Sequence, residues 1–332
     1  MNYNISKHNS LLKWYRPDGY SNVNVIEFPG AELKKVSIDM CTQPKLSPSN
    51  MYKTYATDNK PNILVNCSFF ATSTGESIFN LVSNGVVYSE NNDLAYKNGY
   101  GVTKNGVFDS GSYIKDYWED FTTAYPVLIL NGKALPIVTA QEINYKAHRN
   151  ILGWTKNKGT IFNIGIEGSG MTFEEVQNFI FKLYPTVEYA ANNDGGGSLV
   201  QLFDGNKISD IGWERPVDNV LSIWVRSDAE RVQAEKEQAE KEAAEAQKPK
   251  KVGYRVQLGA FSKKDNAINY CKEIRSLKSN VIDYSKAFTT YDSIKNLYRV
   301  QVGFFSKKEN TQKVVDDLSR LGFGSFIRYV EE

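Results

Sequence analysis

Histidine is nearly missing from this chain: His8 and His148 are the only two in 332 residues. A zinc centre needing two histidines is almost excluded, and a Ser-His-Asp hydrolase could draw only on His148. No Gly-x-Ser-x-Gly elbow appears between a strand and a helix to supply its nucleophile. Cysteine is scarce as well. Cys41, Cys67 and Cys271 are odd in number and scattered, which argues against a disulfide framework and a cysteine-type metal site. A charge excess of one sign is also lacking, since 40 basic and 38 acidic residues leave a net +2. Without a basic field, nucleic acid is not an expected partner. No apolar run approaches the roughly 18 residues that span a bilayer. The segment Met1 to His8 has no apolar signal-peptide core, so the chain is expected to be made in the cytoplasm as it stands.

What is present is aromatic: 13% of residues, with 20 tyrosines, a composition that suits either sugar stacking or an aromatic β-rich core. The length allows two domains with separate cores. Between Ser227 and Lys250 the composition shifts to strong helix formers, with Glu237 four residues ahead of Lys241 and no sustained apolar seam. That stretch predicts a solvated helical linker, ended by Pro249, rather than a coiled coil.

Before the linker, short β-like runs alternate with turn signals. Ser83-Asn84-Gly85 and Lys104-Asn105-Gly106 each lie between two apolar runs, the latter a hairpin signal, and Val127–Leu130 runs into Asn131-Gly132. Thr160 to Ile166 reads as a buried strand. Thr172, with Glu175 at the capping-box position and Val176, Phe179, Ile180 and Leu183 at helical spacing, predicts a helix closed by Pro185.

After the linker the sequence repeats. Tyr254 to Asn266 aligns with Tyr298 to Asn310 at ten of thirteen positions. Each copy reads as a strand, a Ser-led turn (Ser262, Ser306 as N-caps) and a helix. Further strands near Val281–Phe288 and Ser325–Val330 would complete a duplicated βαβ sheet. Alternation turns Val256, Leu258, Val300 and Val302 towards the helices. It turns Arg255, Gln257, Phe261, Arg299, Gln301 and Phe305 to the open face. The repeated Tyr-Arg-Val-Gln-x-Gly-x-Phe-Ser resembles the SPOR domain. The resemblance implies binding to peptidoglycan glycan strands stripped of stem peptides, with Gln257, Ser262, Gln301 and Phe305 as contacts, and implies no cleavage.

Upstream, Asn192-Asn193-Asp194-Gly195-Gly196-Gly197-Ser198 places an acid beside three glycines, whose backbone can approach an anionic group closely. A tight turn with a structural Asp would look the same. His148 adjoins Arg149, which could hold a phosphate or a sugar carboxylate. Glu167 and Asp194 each end a strand-like run, where glycosidases need carboxylates and where caps also occur. Gly168-Ser169-Gly170 reads as a turn.

Five motifs in order, Asn66-Cys-Ser-Phe-Phe70, His148-Arg149 with Gly153, Gly165-Ile-Glu167-Gly168, Asn193-Asp-Gly-Gly-Gly-Ser198, and Arg215-Pro-Val217 with Asn219, resemble the phosphodiester glycosidase family. The resemblance implies hydrolysis of a sugar-1-phosphate linkage. It implies Asp194, His148 and Glu167 as candidate catalytic residues, with Arg149 and Arg215 on the phosphate. Gly195, Gly196, Gly197 and Ser198 would line the pocket and Asn66 would orient the substrate. The family's usual Asp-Gly-Arg after the central strand is here Glu167-Gly168-Ser169. A divalent cation beside Asp194 is compatible with these residues; none requires one.

The expectation is therefore an α+β chain in three parts. Residues 1–226 form a mixed-sheet glycosidase-like domain, 227–250 a helical linker, and 251–332 a small duplicated βαβ domain of ferredoxin-like type. It is read as an endolysin-like, wall-directed glycosidase whose partner is peptidoglycan or another wall glycan, released by phage-mediated lysis or carried on a virion. The alternatives are a non-catalytic wall binder and an enzyme cutting the peptidoglycan sugar backbone. Oligomeric state is not set by the sequence.

Overall fold

The computed structural model describes residues 3–41, 52–137, 144–212, 215–246, 252–293 and 295–331. It divides into two compact units, Met1–Glu237 and Gln238–Glu332.

The first unit is built on three antiparallel sheets of eight, five and five strands. Helix α1 (Tyr52–Asn59) and helix α2 (Phe173–Leu183) pack against it. In the largest sheet Thr160–Met171 runs between Val23–Pro29 and Ala147–Thr155, and Val187–Asn193 flanks the latter. Successive side chains on a strand point to opposite faces. Ile151, Ile164, Ile166 and Ala190 therefore meet Val176, Phe179 and Ile180 of α2. Leu152, Trp154, Ile161, Tyr189 and Ala191 turn the other way, into a core shared with Val36, Ile38, Ile63, Val65, Leu221 and Ile223 of a second sheet. Each fully buried side chain of this size contributes about 1.5–3 kcal/mol. Helix α2 starts with the expected capping box: Thr172 accepts from the Glu175 amide, and the Glu175 carboxylate accepts from the Thr172 amide. The three hairpins form where the turn signals place them, with Asn84, Gly85, Gly106, Asn131 and Gly132 all at positive φ. The expected Gly168–Gly170 turn is instead a bulge within the Thr160–Met171 strand, with positive φ at both glycines.

Helix α3 (Asp228–Ala246) occupies the linker; the expected stop at Pro249 lies outside the described residues. Its first turn is held to the first unit. Ser10 donates from its amide and hydroxyl to Asp228, and Lys34 pairs with Glu230.

The second unit has the element order strand, helix, strand, strand, helix, strand. Its antiparallel sheet runs Phe288–Asp292, Leu297–Phe305, Val252–Phe261, Phe326–Glu331. Helices α4 (Lys264–Arg275) and α5 (Lys308–Arg320) cover one face, and Val256, Leu258, Val300 and Val302 pack beneath them as alternation predicts. Three expectations need correcting. The strand placed near Val281–Phe288 begins only at Phe288, because Tyr284 turns inward to donate to Asp317 and the Ala287 carbonyl accepts from Arg275. The helix N-caps are Lys263 and Lys307, without side-chain capping bonds, so Ser262 and Ser306 stand one residue too early to cap. Phe261 and Phe305 pack against the helix-side core and not on the open face. An extra residue in each central strand breaks the alternation, and Gly303, at φ +69, carries one of these bulges.

Candidate functional site

The strand Val187–Asn193 delivers Asn192, Asn193 and Asp194 to the end of the large sheet. Asn66, at the end of Ile63–Asn66, holds that end in place. Its amide donates to the Asp194 carbonyl at 2.6 Å, and its own Oδ1 accepts from Asn150 and from the Val200 amide, both at 2.9 Å. The Asp194 amide in turn donates to the Cys67 carbonyl. Asn66 is 1% exposed, so it positions Asp194 rather than meeting a substrate.

Beyond Asp194 the chain turns through Gly195 and Gly196, each a glycine for its own reason. A Cβ on Gly195 would stand 2.5 Å from the His148 carbonyl, and Gly196 has φ +57. The result is a cleft of about 250 Å³ lined by Asp194, Gly195, Gly196 and Gly197, by Arg149 and Arg215, by Asn192 and Ala147, and by four rings, Phe69, Tyr125, Tyr145 and Phe173.

Electrostatics set the character of this cleft. Burial pushes the Asp194 carboxyl up to about 6, while Ser198, Arg215 and the Gly195 amide favour its charged form and limit the rise. The Arg149 guanidinium stacks 3.8 Å over Phe173 and donates to the Met171 and Tyr145 carbonyls. Burial lowers it to about 10, so it stays charged at neutral pH. The Arg215 side chain reaches the Ser198 hydroxyl at 3.5 Å, and its amide donates to the Gly197 carbonyl. Asn192 is buried; its Nδ2 donates to the Tyr125 carbonyl, and its Oδ1 has no hydrogen-bond partner in the structure. A buried acceptor on a cleft wall suits a donor group of a bound molecule.

Two predicted catalytic residues are not brought here. Strand alternation sends Arg149 and Asn192 to one face of the sheet and Glu167 to the other. The Glu167 carboxylate is buried and accepts from Asn24 at 2.6 Å, from the Asp210 amide at 2.7 Å and from Arg16 at 3.3 Å, as a structural carboxylate does. His148 is also outside the cleft lining. Its ring nitrogens lie 3.1 Å from the Gly168 carbonyl and 3.3 Å from that of Gly196, tying the bulge to the glycine turn. Carbonyl oxygens only accept, so a neutral ring donates its single N–H to one of the two. Among the described residues no three His, Cys, Asp or Glu side chains converge as a metal site. One carboxylate flanked by two guanidinium groups does not fit a resident divalent cation.

Tyr125, Tyr145 and Phe173 carry no local signal in the sequence, whereas Phe69 and the unsatisfied Asn192 lie within the Asn66–Phe70 and Asn192–Ser198 segments.

In the second unit the open sheet face carries Arg255, whose guanidinium lies 4.7 Å from the centre of Phe288 and 5.8 Å from that of Phe304. Gln257 and Gln301 are on this face but only 2% exposed. Gln257 accepts from Arg299 and Gln301 from Thr290, each at 3.2 Å, and Asp292 pairs with Arg299. Phe304, 38% exposed, stands where plain alternation would have put Phe305, and Phe326, cross-strand from Gln257, is 54% exposed. Ser262 is exposed at the turn before α4.

The family model for phosphodiester glycosidases matches residues 59–224, half of the chain, and includes every residue of the cleft. The chain belongs to the phosphodiester glycosidase family. The SPOR domain model matches residues 250–329, and again 225–283, so this glycosidase-family domain is followed by a SPOR domain. Among solved structures the chain is similar to the zebrafish N-acetylglucosamine-1-phosphodiester alpha-N-acetylglucosaminidase catalytic domain auto-inhibited by its pro-peptide. The identity is 20% and the TM-score 0.50, over 68% of this chain and 83% of that one, a likeness of fold. A hypothetical protein from Synechocystis matches at 13% identity and TM-score 0.47, over 68% of this chain and 61% of that one. The peptidoglycan-binding domain of the B. subtilis cell wall lytic enzyme CwlC matches at 23% identity and TM-score 0.20, over 25% of this chain and 96% of that one. No curated protein matches the chain. No helix among the described residues is long and apolar enough to cross a membrane.

Three substitutions test these placements. Asn66→Ala removes the shared partner of the Asp194 carbonyl, the Asn150 amide and the Val200 amide, and each buried group left unsatisfied costs about 1–3 kcal/mol. Urea unfolding should register a loss of at least about 2 kcal/mol; an unchanged midpoint would mean that the amide does not hold the site. In the SPOR domain, Phe304→Ala should weaken binding to peptide-stripped wall glycan about tenfold without moving Tm. Phe305→Ala should instead lower stability by about 2 kcal/mol.

Proposed function

We propose that the first domain hydrolyses a sugar-1-phosphodiester linkage in a cell-wall glycan while the SPOR domain keeps the chain on peptidoglycan. The observation that carries this reading is the pairing of one desolvated carboxylate, Asp194, with two guanidinium groups, Arg149 and Arg215, in a ring-walled cleft.

That pairing is unusual for breaking an ordinary glycosidic bond, which needs a second carboxylic acid to protonate the leaving oxygen. A phosphomonoester is a far better leaving group, because its second ionisation lies at about 6. It can depart with its charge held by Arg149 and Arg215 and needs no acid. The bond between the anomeric carbon and its oxygen breaks, and the oxygen and its electron pair stay with phosphorus. Water supplies the hydroxyl that completes the free sugar, and Asp194 takes its proton. The four aromatic walls suit a sugar ring, and the Asn192 Oδ1 suits a hydroxyl or amide donor on it. Tethering by SPOR raises the local concentration of wall substrate without adding a catalytic contact. In this reading the chain works as an endolysin-like protein at the wall, after phage-mediated release or as part of a virion.

A second reading, a wall binder with an inactive glycosidase-like domain, draws on Ser169 standing where the family usually has Arg and on Glu167 being tied up in structural bonds.

The test is to incubate the full chain and its Asp194→Asn variant with intact and peptide-stripped walls and to identify soluble products by mass spectrometry. The parent should release sugar and leave phosphomonoester. The variant should be slower by about 10²–10⁴, the usual worth of a general base. For the parent, kcat/KM should rise with pH through about 6, because the carboxylate must be ionised to accept the proton; that limb should vanish in the variant. A rate that falls through the same pH would reassign Asp194 as the acid. Wall binding without product from either protein would sink the enzyme reading in favour of the binder. New reducing ends on peptidoglycan sugars would point to backbone cleavage.

A further inference from the structure

A second depression, about 440 Å³, is lined by residues that adjoin those of the cleft where the Thr160–Met171 strand passes into α2. The two sites share a wall: Tyr145 and Ala147 line the cleft while Lys146 lines the groove, and Phe173 faces the cleft while Met171 faces the groove. Ser169 and Gly170 of the bulge line the groove together with Asn22 and Asn178. Tyr20 meets Phe179 edge to face at 4.8 Å, and the Lys182 ammonium stands 5.4 Å from the Tyr20 ring centre. Lys146 is at the rim, paired with Glu175 at 3.1 Å.

An Arg in place of Ser169 would put a long cationic side chain in the groove; the exposed serine leaves the space open, with lysines on its borders. A half-buried tyrosine with the Lys182 ammonium, a Lys146–Glu175 ion pair and two side-chain amides suits a sugar or polyol bearing negative charge.

We propose that this groove is a subsite for the continuing anionic wall polymer, holding the unit beyond the one that occupies the Asp194 cleft. The inference rests on the reading that the domain acts on a wall glycan. Lys182 supplies the charge contact, Tyr20 the stacking surface, and Ser169 the room.

The experiment measures two quantities on the full chain. One is fluorescence-anisotropy binding of soluble wall polymers purified free of peptidoglycan, a polyol-phosphate polymer in one arm and a uronic-acid polymer in the other. The second is hydrolysis of a low-molecular-weight sugar-1-phosphodiester. Lys182→Glu reverses the charge at an exposed position, and Ser169→Trp fills the groove from an exposed position, so both should fold. Each should weaken binding of the preferred polymer by about tenfold, the equivalent of one charge-assisted contact, while hydrolysis of the small substrate stays unchanged. The arm that responds identifies phosphate or carboxylate as the charge recognised. Binding of both polymers unaffected by both variants overturns the subsite. If the parent hydrolyses nothing yet the variants lose polymer binding, the catalytic reading fails and the groove stands as a binding site.

Discussion

The site depends on a ladder of buried amides. Gln201 donates to Asn163 at 2.6 Å, Asn163 to Asn150 at 2.8 Å, and Asn150 to Asn66 at 2.9 Å. Asn66 closes the series on the Asp194 carbonyl. Asn150 and Asn163 belong to the large sheet, while Asn66 and Gln201 belong to the second, and none is more than 2% exposed. The ladder thus joins two sheets across a largely apolar core, and it fixes their register. Hydrophobic contacts tolerate sliding; a hydrogen bond between amides does not. Gly165 belongs to the same constraint, because a Cβ there would overlap the Gln201 amide.

With that register set, the electrostatics of the cleft follow. The strand end that carries Asp194 is held at a depth where its carboxyl is desolvated, and Arg149 and Arg215 complete the lining. Among the described residues, two cations around one anion leave the lining net positive. Alternation also keeps Glu167 on the opposite face, where three donors satisfy it. Among the described residues the cleft thus holds one carboxylate and two guanidinium groups, while the other strand-end carboxylate is satisfied on the opposite face.

Local rules made much of the chain legible. The capping box at Thr172 and Glu175, the Asn-Gly hairpins and the linker helix rest on interactions within a few residues, and they form as read. What escaped are consequences of non-local pairing. Asn150, Asn163 and Gln201 look like ordinary polar positions until the facing sheet is in place. Glu167 and Asp194 were indistinguishable as strand-end carboxylates, since only the sheet decides which face each one meets. Tyr125, Tyr145 and Phe173 come from three separate segments and share no motif.

The SPOR domain shows how small a backbone change separates the two kinds of residue. Its copies are nearly identical through the strand motif, and plain alternation assigns Phe261 and Phe305 to the open face. One extra residue in each central strand reverses them. At Gly303 the reversal has a visible requirement: with φ +69 and the Phe305 ring where a Cβ would lie, only glycine fits. The bulge sends Phe305 into the core and presents Phe304 beside Arg255 and Phe288. The first copy has Ala260 at the position equivalent to Phe304, so the duplication supplies one exposed ring and not two. The exposed Phe304 ring is therefore contributed by the second repeat alone, although the sequence motif that identifies the domain is shared equally by both.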